Sequence, residues 1–391
     1  MLQYINLLEL DLQSNRLLAQ LLAHHPDKVD WPSGSYFIDT QEIVLSHRII
    51  RHANSTEKKQ VYEVLADSFL DQGAFGTLFL SQLTLVPVQH QIELLVKVKH
   101  ESKKRLIKIQ QHEYVSLERA EREVTNLRKM GFFHCKPLSY HDTESFITMR
   151  KLPGQPLHTL IKANQLTLVE RLTLSKALVL ALQQQVHDVN FIHRDIKPQN
   201  ILVDDNLRVS FIDYALAIDK HYDDRMDALR GSIPYVAPEG FSLHDCTTVK
   251  SDVYSLGRVF MMLWGDDYQN NPDFNPLDCI YSAKHVSFVR LFDRLAEIPE
   301  GHRELRALIQ SMMHEEPGSR PGLDRLIDVL NVLDERMQPI PNPKWNRQEN
   351  KTVTASSSSP LSVMCEAEHF IEKLSLYNDD FDDGYNRYYG F

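Results

Sequence analysis

No apolar run among the 391 residues is long enough to span a bilayer, which takes about 20 consecutive apolar residues. The leucine-rich start carries Glu9 and Asp11 where a secretory signal would place a basic end and an unbroken apolar centre. Membrane insertion and Sec-type secretion are therefore not expected, and a cytoplasmic location is. Cysteine is scarce too. Cys135, Cys246, Cys279 and Cys365 form no CxxC pair and have no matching histidine spacing, so neither a disulfide framework nor a thiolate zinc site is indicated. Positive charge is in deficit: the formal net charge of -10 disfavours general nucleic-acid binding. Half of that excess lies in residues 361–391, where seven acids face only Lys373 and Arg387. There is no internal repeat, and no serine or threonine between Asp213 and Ser232, where Tyr214 and Tyr222 are the only hydroxyls.

What is present is ordinary globular composition, 42% hydrophobic and 25% charged, in a chain long enough for two or three structural units. Leucine and isoleucine recur at three and four spacing from Leu2 to Leu22, which predicts one or two amphipathic helices ended by His24, His25 and Pro26. Such a helix either packs in cis or binds a partner. From Ser35 to Gln110 short β-branched and aromatic runs (YFID, EIVL, TLFL, ELLVKV) alternate with turn residues, the pattern of an antiparallel sheet. Helical periodicity follows over Val115 to Met130, Leu166 to His187, Ser251 to Trp264, Ser287 to Leu295, Arg303 to His314 and Gly322 to Met337. Beyond Pro339 a polar stretch reads as a linker, followed by a short helix from Leu361 to Leu376 and an acidic, aromatic end. The expected organisation is an N-terminal helical extension (1–35), a strand-rich unit with additional strands (36–152), a mostly helical unit (153–337), a flexible linker (338–360) and an acidic tail (361–391), an α+β fold.

The segment Phe191 to Val203, FIHRDIKPQNILV, sets Asp195, Lys197 and Asn200 at +0, +2 and +5 between two apolar runs. That set suits phosphoryl transfer. Asp195 would accept or orient the proton of an attacking hydroxyl, Lys197 would meet the charge on the transferred group, and Asn200 would hold a metal ion. Asp213 ends the apolar run VSFID, where a second metal ligand belongs at a strand end. The stretch, with His193 and Arg194, resembles the catalytic loop of eukaryotic-type protein kinases. The resemblance implies a two-lobed fold, with an antiparallel-sheet N-lobe carrying one helix and a mostly helical C-lobe, clamping ATP with Mg²⁺ or Mn²⁺.

Other segments extend the resemblance. Asp71 to Leu80, DQGAFGTLFL, is similar to the family's Gly-rich loop, which makes Gly73, Ala74, Phe75, Gly76 and Leu78 candidate ATP contacts. Asp71 stands where the first glycine usually is, either repelling phosphate or pointing outward. Two lysines compete for the α and β phosphates, Lys99 in VKVK and Lys108 in RLIKIQ. Glu123 in RAEREVTNLRKM lies 15 residues after Lys108 and 24 after Lys99, and the shorter span leaves room for a strand end, a loop and two helical turns. Lys108 is therefore chosen, with ELLVKVKH and RLIKIQ expected to form a hairpin about HESKKR. FITMRKLPGQP resembles the hinge, with Met149 as gatekeeper and the backbone of Arg150 to Leu152 meeting adenine.

Asp213, Tyr214 and Ala215 stand where the family usually has DFG, with Tyr214 in the aromatic place. GSIPYVAPE, Gly231 to Glu239, resembles the end of an activation segment. Ser232 would bridge Asp195 and Lys197, Glu239 would pair with Arg320, and Asp252 would brace the catalytic-loop backbone. Arg194 has no Ser/Thr phosphosite to pair with, and one of Asp219, Asp223, Asp224 or Asp227 is expected to stand in for the phosphate. The reading is a serine/threonine protein kinase domain over Val61 to Met337, acting on a protein substrate, with regulatory partners reaching the N-terminal helix or the acidic tail. The inserted segment and DYA look like divergent kinases that bacterial pathogens deliver into host cells. The rivals are an ATP-binding pseudokinase scaffold, suggested by Asp71 and Ala215, and a small-molecule or lipid kinase, which does not need Ser232 and the APE.

Overall fold

A computed structural model describes residues 2–52, 60–73, 76–100, 103–225, 227, 231–232, 235–242, 244–264 and 299–337. The expectations for Ala74, Phe75, Ser287 to Leu295, the linker and the acidic tail lie outside the described residues. The chain divides into two compact units, Met1–Pro153 and Gly154–Phe391.

The first unit opens with β1 (Leu2–Ile5), α1 (Leu12–His24), β2 (Asp30–Trp31), β3 (Gly34–Ile38), β4 (Gln41–Leu45) and β5 (Ile49–Arg51). Here one expectation is corrected: Leu2 to Ile5 is a strand, not helix, and pairs in parallel with β4 from Leu2 opposite Glu42 to Ile5 opposite Leu45. Local spacing gave a helical period, but the ladder to β4 and burial of Ile5 outweigh it. The helix starts only at Asp11, whose carboxylate caps it by accepting the Ser14 N–H at 2.7 Å. Leu17, Leu18, Leu21 and Leu22 of α1 are buried in one core with Ile5, Trp31, Ile43, Tyr62, Val64, Leu83, Leu85 and Leu94. Its apolar face is thus used in cis.

There follow β6 (Tyr62–Gly73), β7 (Gly76–Pro87), β8 (Leu94–Lys97), β9 (Arg105–Gln111), α2 (Leu117–Met130), β10 (Ser139–Tyr140) and β11 (Glu144–Arg150). The main sheet runs in the order β10-β11-β9-β7-β6-β5-β2, and β8 pairs with β7. A second expectation fails here. ELLVKVKH and RLIKIQ are not a hairpin, because β8 pairs with the far end of β7 (Thr84 opposite Lys97) while β9 pairs with its near end (Thr77 opposite Ile109). Both are antiparallel to β7, so they run the same way along it, and the 12-residue length of β7 is what accommodates both.

The second unit contains β12 (Gln155–Pro156), α3 (Leu157–Ala163), α4 (Leu168–Leu182), β13 (Phe191–Ile192), β14 (Ile201–Val203), β15 (Val209–Phe211), β16 (Ile218–Asp219), α5 (Val249–Trp264), α6 (Pro299–Met312) and α7 (Leu323–Met337). Thr167 and Glu170 form a reciprocal capping box at the start of α4, which continues into a π turn, Gln183–His187. Two small sheets, β12-β14-β15 and β13-β16, bracket residues 193–200, which lie between the end of β13 and the start of β14. Helix α5 is buried from Ser251 to Trp264. No helix among the described residues is long and apolar enough to cross a membrane.

Candidate active site

In the first unit, alternation along β9 puts Ile107 and Ile109 into a core with Ile50, Leu65 and Phe146 and turns Lys108 to the other face. Directly opposite residues in an antiparallel pair share a face, so Leu78 and Ile147 lie on the Lys108 side, as does Met149, which faces Leu106. Helix α2, capped by Ser116 and ended at Gly131, buries Ala120, Glu123, Val124, Leu127 and Met130 at helical spacing. The Lys108 ammonium donates to Glu123 at 2.7 Å, and both side chains are largely buried. Gln110, two residues on and on the same face, donates to the other carboxylate oxygen at 2.8 Å. Gln110 was not singled out from sequence, although the period of two that selects Lys108 selects it as well.

Lys99 goes elsewhere. Its ammonium lies 3.2 Å from Glu63, a fully buried carboxylate that also accepts from Arg105, Ser81 and Thr84 and lies 3.0 Å from His52. Burial alone would raise the Glu63 carboxyl, but His52, Lys99 and Arg105 outweigh it and hold it down to about 2. Burial pushes the His52 ring down.

Strands β6 and β7 close on each other with Gly73 opposite Gly76. Gly76 has φ +132, and a Cβ there would stand 2.5 Å from the Ile109 carbonyl oxygen, so a side chain is excluded on two counts. Asp71 is exposed, opposite Leu78, with its carboxylate accepting the Gln72 N–H at 2.9 Å. In the hinge segment the N–H groups of Arg150 and Lys151 are already committed, to Phe133 and Lys104 carbonyls at 2.7 and 2.9 Å. That narrows the expected adenine-facing backbone donor to Leu152.

In the second unit, Asp252 of α5 accepts the backbone N–H groups of His193 and Arg194 at 2.8 and 3.0 Å. His187, from the π turn, sits 3.1 Å from the same carboxylate, a contact nothing in the sequence signalled. With Arg194 forced to φ +65, the loop turns so that Asp195 is buried beside Lys197 and Asn200. Lys197 donates to Asp195 and to the Ser232 hydroxyl, both at 2.8 Å. Asn200 donates its amide N–H groups to the Asp195 carbonyl and carboxylate at 2.9 and 2.8 Å, so that its amide oxygen is the atom that could take a metal ion. The other carboxylate oxygen of Asp195 is buried with no hydrogen-bond partner, an orphaned acceptor able to take a hydroxyl proton.

Asp213 follows β15 with φ +62 and is half-buried. A carboxylate and an amide oxygen are hard donors of the kind Mg²⁺ takes. Tyr214 is fully buried with its ring 4.7 Å from that of His193, and burial and the nearby Asp252 push its hydroxyl pKa far up. Glu239 and Arg320 form a bidentate buried pair at 2.7 and 2.8 Å. Of the acids named for Arg194, Asp224 and Asp227 reach it, at 3.1 and 2.7 Å. Asp219 accepts the His221 N–H instead, and Asp223 pairs with Arg225.

A lysine and glutamate joined between strand and helix, and an aspartate, lysine and asparagine gathered in one loop, are the parts of a phosphotransferase of the protein kinase type. The protein kinase domain model matches residues 72–330, and the chain belongs to that family. It is similar to a PR5-like receptor kinase of Arabidopsis thaliana, 27% identical over 337 residues, which are 80% of this chain and 48% of that one. A probable serine/threonine-protein kinase of Dictyostelium discoideum is 30% identical over 210 residues, 52% of this chain and 12% of that one. One from Zea mays is 27% identical over 192 residues, 48% and 29% respectively. The chain thus spans less than half the length of these relatives.

Proposed function

We propose that the chain is a serine/threonine protein kinase that transfers the γ-phosphoryl group of ATP to a protein hydroxyl. The observation that carries this is the single ammonium of Lys197 held between Asp195 and Ser232, beside an Asp195 oxygen with no other partner. The substrate hydroxyl oxygen attacks the γ-phosphorus as the bond to the bridging oxygen of ADP breaks, and its proton passes to Asp195. Lys197 offsets charge on the transferred group, and Lys108, fixed by Glu123 and Gln110, binds the α and β phosphates. Asn200 and Asp213 would hold Mg²⁺, which when bound neutralises phosphate charge. Gly73, Gly76 and Leu78 cover the phosphates, and Met149 and Leu152 border the adenine. Serine or threonine specificity is supported by Ser232 and by the names of the relatives. A cytoplasmic site of action is part of the same proposal.

The experiment is transfer from labelled ATP, with and without Mg²⁺, to a generic basic protein and to a panel of small hydroxyl compounds. Mg²⁺-dependent labelling of protein serine or threonine is expected. Labelling of the small compounds alone would replace the protein-kinase reading with a small-molecule one, and no labelling of either would leave an ATP-binding scaffold.

A further inference from the structure

Between β7 and β9 the chain forms an extra arm around β8, none of whose residues enters the site for phosphoryl transfer. Its apolar side chains do not all turn inward. Leu94 is buried, and its main chain is stitched to α1 by Asn15, whose side-chain oxygen accepts the Leu94 N–H at 2.8 Å and whose amide donates to the Leu94 carbonyl at 2.9 Å. Around that anchor the arm is open to water: Ile92 is 59% exposed, Leu95 50% and Val98 80%, and Val96 is exposed as well. Four large apolar side chains at the surface within seven positions make a patch, unlike the single apolar residues scattered over any protein surface. The register gives this patch two sides. Leu95 and Lys97 stand opposite Val86 and Thr84, whereas Val96 stands opposite Leu85 and faces the other way.

The charge of this stretch is opposite to that of the chain. Residues 88–105 hold Lys97, Lys99, Lys103, Lys104 and Arg105 against Glu93 and Glu101, in a chain whose formal net charge is -10. Lys99 and Arg105 turn in to the buried Glu63 at 3.2 and 2.6 Å, and Glu93 is matched by Arg16 at 2.8 Å. Lys97, between Val96 and Val98, is exposed, and so is Lys103, whose N–H donates to the His100 carbonyl at 2.8 Å. Cations interleaved with exposed apolar side chains complement a surface that is anionic outside and apolar beneath. A protein seated on one side of β8 would leave the apolar residues of the other side in water. A fluid apolar layer takes side chains from both, while the lysine stems carry their ammonium groups back to the headgroups. Among the described strands β8 pairs only with β7, and at headgroup depth its outer edge stays hydrated.

We propose that residues 92–98, with Lys103, are a peripheral attachment site for an anionic bilayer, holding the first unit at a membrane surface without spanning it. The test is co-sedimentation of the full chain with vesicles made of an equal mixture of phosphatidylcholine and phosphatidylserine, and with vesicles of phosphatidylcholine alone. Binding to the mixed vesicles that weakens as salt is raised is expected, with little binding to the neutral ones. Leu95→Ser combined with Val98→Ser should weaken binding by about 10-fold or more, because each change removes an apolar side chain that the bilayer would cover. Lys97→Glu combined with Lys103→Glu should weaken it by about 10-fold or more as well and flatten its salt dependence. Transfer to a soluble protein substrate, measured without vesicles, should be unchanged in both double variants. Should a variant not fold, the comparison of the two vesicle types with the unaltered chain still decides. No binding to the mixed vesicles, or equal binding to the neutral ones, would overturn the proposal and leave the transfer chemistry untouched. Binding lost in the lysine variant but intact in the Leu95 and Val98 variant would also overturn it, leaving an acidic soluble partner as the occupant of the lysines.

Discussion

Asp195, Lys108 and Lys99 show how much one residue's surroundings decide. Asp195→Asn keeps the shape of the side chain but removes the acceptor, and kcat is expected to fall by about 10²–10⁴-fold with ATP binding retained. Single-turnover transfer together with a nucleotide-binding titration checks this, and a near-normal rate would mean that another group takes the proton. Lys108→Ala should cripple transfer, since Glu123 then loses its cation in a buried place. Lys99→Ala should be tolerated in activity, because Glu63 keeps Arg105, Ser81 and Thr84. The reverse order in a side-by-side rate assay would show that Lys99 binds the phosphates. Both lysines lie in basic, β-rich runs, so their local letters did not separate them. The distance to Glu123 along the chain did.

At the scale of elements, the corrections share a cause. Leu2 to Ile5 has a spacing compatible with helix, and β8 and β9 are adjacent in sequence, as hairpin strands are. Strand pairing is decided by the partner, and β4 and β7 lie outside the windows in which those patterns were read. Elements with strong local signals fared better: α2 has Ser116 and Gly131 at its ends, and α4 has its capping box. The Glu239 and Arg320 pair ties a short 3₁₀ turn (Pro238–Phe241) to the segment before α7 from 81 residues away. Arg320→Met should strand the Glu239 carboxylate in a buried site and cost about 3–5 kcal/mol of stability. Chemical denaturation monitored in the second unit would measure this, and an unchanged midpoint would show that the pair contributes nothing net.

For the whole molecule, acid should be the weak direction. Glu63 is held at about 2 against an ordinary 4.5, so its contribution is complete above about 4.5 and is lost as pH falls toward 2. His52 acts with the same sign: its folded pKa lies below 6.5, so the unfolded chain takes up the proton first, and stability falls with pH below that value. The melting temperature of the first unit is expected to drop on acidification from about pH 6.5, and Glu63→Gln should flatten the lower part of that fall. An identical acid limb in the variant would show that Glu63 is not linked to folding. The same unit depends on its N-terminal residues, and Leu18→Ala should cost about 2–5 kcal/mol, because Leu18 is fully buried in the core that β6 and β7 share with α1. A midpoint unmoved by that change would mean that α1 is not part of the folding unit.

Residues whose chemistry needs a fixed short spacing were legible in the chain itself. Asp195, Lys197 and Asn200 lie within six positions, although the turn that gathers them, with Arg194 at positive φ, is held from α5 by Asp252. The α+β order of strand-rich then helical segments was legible for the same reason, since periodicity is a local property. Tertiary structure alone decided that Lys99 goes to Glu63, that His187 reaches Asp252, and that Asp224 rather than Asp219 or Asp223 meets Arg194. Each of those choices is among chemically equivalent side chains a few residues apart. Burial and the geometry of a distant partner distinguish them, and neither is written in any local pattern of letters.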